Sequence, residues 1–431
     1  MSTRMQVPQA GDSRRGEFLI LLFSAVVSLA PYLVYRALFA RLFWFGDELD
    51  QIDHIDRLGF WHWVLLFFGE NFVPLFKVLW GGAALLFGGS YAAMITLVWL
   101  THALNVALLG RLMRGCGLSW AAVFLAQALF GLSCSNLETL AWSVQGSPVL
   151  SITFLLLAMD ACLREGPLAL QVGWVAASAV SFARGVLTGP VVAVGLLLDP
   201  GSRGRPWTLN RARAVAAVLL PSAVGAALIA VFASGNHQHM KGHGAEAFTF
   251  GLWYYCANPM HALLSVESYG WHTVAVLGAI KLALVVAALA RTPGRTRVLF
   301  MMLVAFELGN AVLLGIGRYH TGLPSTLASR YQYASLLAAA PVAGFWFSRL
   351  CGLVPGGRFA GRAVATVVLL GLGLTQVRAW AGVLEPFTSW RGSESRRILF
   401  VDPNPRADAV PGIPGMDMDR AKALIRRYTL H

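Results

Sequence analysis

The chain has 431 residues, of which 57% are hydrophobic and only 13% charged. A soluble globular domain carries roughly a quarter charged residues, so the composition excludes an ordinary soluble enzyme and describes a polytopic membrane protein with one membrane domain. The net charge of +13, from 34 basic and 21 acidic residues, would suggest nucleic acid in a soluble chain. Here the arginines sit in short gaps between apolar runs, where the positive-inside bias and anionic lipid account for them, so no nucleic-acid partner is implied.

Residues 1–16 are polar, with Arg4, Arg14 and Arg15, and are expected in the cytoplasm. The apolar run 18–39 is too long for a signal-peptide core and no small-residue cleavage site follows it. It is read as the first span, since about 20 apolar residues cross the hydrocarbon. The stretch 43–75 then lies outside and gathers Asp47, Glu48, Asp50, Asp53, Asp56 and Glu70 among Trp and Phe. The run 72–88 contains Pro74 and Lys77. Counted as a span it would place Arg111 and Arg114 outside, against the positive-inside pattern. With 58–68 it is therefore expected to lie along the outer surface.

Ten further spans follow by alternation, at 91–112, 120–140, 148–163, 168–182, 186–198, 214–233, 271–290, 298–317, 333–350 and 363–381. Every proposed inner loop carries arginine. The expected architecture is an all-α bundle of about 11 spans over residues 1–381, with the amino terminus inside. Residues 382–431 form an outer tail. An outer loop, 234–269, holds His237, His239, Lys241, His243 and an apolar run at 248–264. In the tail, 402–414 is Pro-rich. Met418, Ala421, Leu424, Ile425 and Tyr428 recur at helical spacing, with Asp417 or Asp419 as cap, in a helix expected to pack on the outer face.

Asp47 is the sharpest chemical signal. It lies just past the first span, where a water-borne and a lipid-borne substrate meet. An aspartate there is ionised at neutral pH and can take a proton from an acceptor hydroxyl. The alternative is that Asp47 caps the following helix with Glu48 in its first turn. Asp50, Asp53 and Asp56 step by three and read as a solvated helix face. Glu138, at the outer end of a second hairpin, is either a further site acid or an interfacial residue beside Trp142. Arg184, Arg318, Arg330 and Arg378 all fall at outer span ends, where a lipid phosphate gives guanidinium groups a reason to be and headgroup snorkelling is the alternative. His237, His239 and His243 match no zinc spacing, so no metal is expected. His102 and Asn105 lie mid-span, where hydrogen bonding between helices is the usual role. Glu307 is also inside a span, which makes it functional or paired. The five cysteines are scattered and imply neither a disulfide framework nor a zinc site. No phosphate-binding glycine loop opens a helix, so no nucleotide site is expected.

Four stretches together resemble the C-superfamily of membrane glycosyltransferases, and within it the protein O-mannosyltransferases and their tetratricopeptide-linked membrane relatives. Phe45-Gly46-Asp47-Glu48 resembles the family's aromatic-x-Asp-Glu/Asp motif. Asn71-Phe72-Val73-Pro74-Leu75 resembles its (His/Asn)-x-Arg-Pro-Leu element. Leu100 to Asn105, followed by Leu137 to Trp142, resembles "LLHLLNALL" and "VEAVAW". Ala328 to Ser335 resembles "AERYLYLPS". The order holds over residues 40–350. Val73 replaces the family's Arg, Ala183 and Arg184 replace its Lys-Glu pair, Ser329 replaces a Glu, and no tetratricopeptide repeats follow.

The resemblance implies inverting transfer of a sugar from a polyprenyl-phosphate donor to a protein or glycolipid hydroxyl at the outer face. Asp47 would be the base and Glu48 its catalytic partner. Glu138, Glu70, Asn71 and His102 would be substrate-binding. Arg330, Tyr331, Arg184 and Arg318 would hold the donor phosphate. No cofactor or metal is expected. The competing readings are a lipid-linked oligosaccharide ligase or polymerase, and a transporter or flippase. Ala-, Gly- and Arg-rich usage fits a GC-rich bacterium, which makes the expected location the inner membrane and the outer side the periplasm.

Overall fold

The computed structural model describes residues 10–69, 71–198, 208–232, 242–260, 270–355, 357–393 and 416–431. These residues fold into helices and turns, with one isolated bridge between Phe68 and Asn71. Among them, eight helices are long and apolar enough to cross a membrane: Arg14–Val34, Tyr91–Gly115, Ser143–Leu163, Leu209–Phe232, Trp271–Arg291, Gly294–Thr321, Ser329–Gly352 and Phe359–Gly392. Each carries an 18-residue apolar window with at most two charged residues, and a helix satisfies its backbone within the segment, as lipid requires.

The expected count of 11 spans is reached only in part. The 120–140 span is a pair, Trp120–Leu132 and Cys134–Leu140, bent by 46°. The two spans expected at 168–182 and 186–198 are short helices, Leu168–Ala179 and Thr188–Leu198. At a 1.5 Å rise per residue each is well under the roughly 30 Å hydrocarbon thickness. The break between them is a 3-10 turn, Ala183–Leu187, whose Gly185 backs directly onto the Ser178 carbonyl, leaving no room for a side chain.

The segment 72–88 forms a 13-residue helix, Pro74–Leu86. Its Lys77 is buried because its ammonium donates to the carbonyls of Trp63 and Leu66, 2.9 Å each, at the end of the Phe60–Leu65 helix. A tethered cation there caps carbonyls that a helix end leaves open.

The apolar run at 248–264 is not a simple outer loop. Its described part, Gly244–Ala257, is a helix packed along Gly294–Arg318. Gly315 backs onto the Ala247 carbonyl, Gly251 onto Ala311, and Tyr254 meets Asn310. The helix therefore runs from the Arg318 end of its neighbour down to the level of Glu307. Its last carbonyls, on Tyr255 and Asn258, accept from the Lys281 ammonium at 2.8 and 2.6 Å, and Glu307 pairs with the same ammonium at 2.6 Å. The Ser335 hydroxyl also donates to Glu307. Both charges are nearly out of solvent, and each is paired, as burial in a bundle demands.

The tail returns to the start of the chain. Met418–Arg427 is a helix whose cap is Asp417, accepting from Arg420 N at 2.6 Å. It lies on the Asp47–Leu58 helix. Arg420 reaches Asp53 and Asp56 at 2.6 and 2.9 Å, Arg427 reaches Asp56 at 2.9 Å, and the Tyr428 hydroxyl donates to Asp56. This corrects the solvated-face reading of Asp53 and Asp56: both are covered by tail residues more than 360 positions away, and Asp53 also pairs with Arg57 at 2.8 Å. Asp50, beside His54, has the most exposed side chain of the three. The expected boundary at residue 381 falls inside a continuous helix, Gly357–Thr388, which ends in a π-helical turn, Ser389–Ser393.

Candidate functional site

Asp47 opens its helix but does not cap it. The capping position is Gly46, at φ +55°, a conformation side-chain-bearing residues avoid, and no side-chain capping bond is made. The Asp47 carboxylate is exposed and makes no hydrogen bond among the described residues. Partial burial by its surroundings nevertheless raises its pKa. The neighbouring charge of Asp50 adds to the rise, and the charges of Arg391, Arg330 and Arg318 oppose it. Asp47 is thus a carboxylate without a hydrogen bond among the described residues, within electrostatic reach of three guanidinium groups.

Glu48 is its opposite. It is fully buried and accepts from Phe45 N (3.0 Å), the Tyr91 hydroxyl (3.0 Å), Ser143 N (2.9 Å), the Ser143 hydroxyl (2.5 Å) and Val144 N (3.3 Å). It staples the start of the acidic helix to the loop before Gly146–Leu163 and so fixes where Asp47 points. Its place is that of a positioning group. Burial pushes its pKa up to about 7, against the hydrogen bonds from Ser143, Phe45 and Tyr91. The folded protein therefore holds this proton between an ordinary pH of 4.5 and about 7. The resulting stability is fully present below the lower value and is lost as pH rises through the upper one. Wild-type stability in detergent is expected to fall by about 3 kcal/mol from pH 5 to 8 relative to Glu48→Gln. Parallel pH profiles for the two proteins would contradict this.

Glu138 sits on the short Leu137–Leu140 helix and clasps the start of Ser329–Gly352. Its Oε1 lies 3.1 Å from Arg330 Nη1, its Oε2 accepts from Arg330 N at 3.3 Å, and its own N–H donates to the Ser329 hydroxyl at 3.1 Å. The same Oε1 lies 3.6 Å from Arg391 Nη2. Arg391 was not anticipated from sequence. It stands in the π-helical turn after the last long helix, boxed by the rings of Trp142 (4.0 Å), Phe45 (4.9 Å), Trp390 (5.1 Å) and Phe387 (5.2 Å). The readable signal was an arginine at the end of the last long apolar stretch, with Phe387 and Trp390 beside it. Arg378, one of the outer arginines named above, is instead an exposed residue within that helix.

The other predicted residues divide. Asn71 accepts from Ala183 N at 3.1 Å and so ties the 68–75 segment to the turn that carries Arg184. Arg184 is buried over Phe182, within electrostatic reach of Tyr254, Tyr331 and Tyr333, and its Nε and Nη1 have no partner among the described residues. Tyr331 is buried, with the Arg330 guanidinium over its ring at 5.2 Å. Arg318, at the end of Gly294–Arg318, is half-buried. His102 lies apart from the cleft, fully buried between helices. Asn105 donates to the Tyr333 hydroxyl (3.0 Å), which leaves that hydroxyl to donate to His102 Nδ1 (2.9 Å) and His102 Nε2–H to face the Gly131 carbonyl (3.2 Å). Every polar atom of the ring is thereby used. His243 stacks on Tyr319 and meets Glu246. Glu70, His237 and His239 lie outside the described residues. Among the described residues, no three His, Cys, Asp or Glu side chains gather as a metal-ligand set.

An apolar groove of about 180 Å³ runs beside the Asn71–Arg184 junction, lined by Phe72, Ala179, Val180, Pro221, Gly225 and Leu228 among others. Its chemistry suits a hydrocarbon chain. The arrangement as a whole offers one free carboxylate, a set of guanidinium groups and an apolar trough at one end of a membrane bundle. No protein-family model matches the chain, and no curated protein matches it in sequence.

Proposed function

We propose that the protein is an inverting membrane glycosyltransferase that moves a sugar from a polyprenyl-phosphate donor to a hydroxyl of a protein or glycolipid at the outer face. The observation that carries this reading is the unbonded, exposed Asp47 carboxylate, next to the buried anchor Glu48 and within electrostatic reach of Arg391, Arg330 and Arg318. A carboxylate whose pKa is raised by its surroundings is a stronger base. In the reaction, Asp47 takes the acceptor's proton as the acceptor oxygen bonds to the anomeric carbon. The bond from that carbon to the phosphate oxygen breaks on the opposite face, and its electron pair leaves with the polyprenyl phosphate. Guanidinium groups stabilise the charge that builds on that leaving group. The groove beside Arg184 is suited to part of the polyprenyl chain.

A transporter or flippase is the second reading, favoured by the buried Lys281–Glu307 pair. Radiolabelled donor supplied in detergent separates the two, because transport needs a sealed compartment. The enzyme reading expects sugar on the acceptor and free polyprenyl phosphate. Flux in liposomes without any transfer in detergent would count decisively for the rival.

A further inference from the structure

Arg391 and Arg330 share a single contacting carboxylate, while Asp47 and Glu48 act on them only through space. Glu138 is the one carboxylate bonded to both guanidinium groups, and it spends the same Oε1 on each. Arg391 is only 7% exposed, yet its Nε and Nη1 have no hydrogen-bond partner among the described residues. Four aromatic faces surround this cation and offset part of its lost hydration. They accept no hydrogen bond in the plane of the fork. A buried donor left unpaired is costly; Nε and Nη1 lie on different edges of the guanidinium, so each is a separate charge-assisted donor for an anion oxygen. The backbone also holds the group in place. Gly392 packs against the Arg41 carbonyl so closely that a side chain there would collide, and π-helical turns such as this one recur at functional sites.

We propose that Arg391, together with Arg330 and oriented by Glu138, is a binding site for a phosphate oxyanion presented beside Asp47. The proposal rests on the glycosyltransferase reading only for the source of that phosphate, namely the polyprenyl monophosphate; the site itself follows from the open guanidinium.

The test is binding without chemistry. The full chain in detergent is titrated, with no acceptor present, with a long-chain polyprenyl monophosphate, with phosphatidylglycerol and with inorganic phosphate. Arg391→Gln is expected to weaken the binding probe by about tenfold or more. Arg391→Lys, which keeps the charge and loses the fork, should fall between it and wild type. Glu138→Gln removes the competing carboxylate and is expected to keep or raise the affinity. Arg349→Gln, at the opposite end of its helix, should match wild type. A purely structural ion pair predicts instead that Arg391→Gln and Glu138→Gln weaken binding alike. That result, or unchanged affinity in Arg391→Gln, overturns the site. The probe that binds identifies the source. Arg391-dependent binding in a protein that transfers no sugar would sink the enzyme reading and leave this site standing. Sugar transfer with unchanged KM in Arg391→Gln would do the reverse.

Discussion

Asp47→Asn is expected to insert, fold and bind donor lipid while losing sugar transfer by roughly 10²–10⁴-fold, the usual worth of a positioned general base. The fold should tolerate the change because the Asp47 carboxylate holds nothing: the helix is capped at Gly46, and the side chain has no hydrogen bond among the described residues. The loss should fall on kcat with KM little changed, since the interaction removed operates in the transition state. Asp47→Glu keeps the charge but moves it by about one bond, and a shift near 1 Å can itself cost about 10²-fold. Transfer rates with a saturating lipid donor check both variants. Wild-type kcat in Asp47→Asn would remove the base from the proposal.

The largest effect on stability is expected at Glu307. Glu307→Gln leaves the Lys281 ammonium charged and without its counter-ion inside the bundle, and breaking a buried pair from one side costs about 3–5 kcal/mol. The cost should reach the site through a short relay. Lys281 holds the end of the Gly244–Ala257 helix through Asn258, and Asn258 accepts from Gln332 at 2.6 Å, two positions from Arg330. Replacing both members, Lys281→Met with Glu307→Leu, should recover much of the loss, because apolar residues of similar volume often substitute for an ion pair at little cost. Thermal unfolding of the two single variants and the double one in a common detergent measures the coupling. Simple additivity would show that the pair is not a unit.

What could be read from the sequence divides along a physical line. Apolar length and arginine placement are local, and they located the long helices and their basic ends, where Arg111 and Arg164 share Asp160. The amphipathic spacing of the tail helix was likewise local, and Ala421, Leu424 and Ile425 are buried. The short helices were over-read because apolar composition does not reveal a turn such as Ala183–Leu187, which Asn71 holds from another part of the chain. Asp53 and Asp56 looked solvated because the helix that covers them, with Arg420 and Arg427, lies in the tail. Asp47 and Glu48 are adjacent and alike in charge, yet one is open and the other sealed. That distinction depends on Tyr91 and Ser143, contributed by other helices. Arg391 went unseen for the same reason, since its relation to Glu138 spans most of the bundle's length in sequence.

The grip of Arg420 and Arg427 on Asp53 and Asp56 also sets a parity rule. Two segments that touch share one side of the membrane, so the chain between residues 58 and 418 must cross it an even number of times. Of the eight long helices, one precedes residue 47, leaving seven; an odd number cannot return the tail to its partner. Among the described residues, counting the bent pair Trp120–Leu140 as a crossing restores evenness, and the three shorter apolar helices, Pro74–Leu86, Leu168–Ala179 and Ala183–Leu198, preserve it only if an even number of them cross. Threading is therefore constrained by a single ionic handshake at the rim.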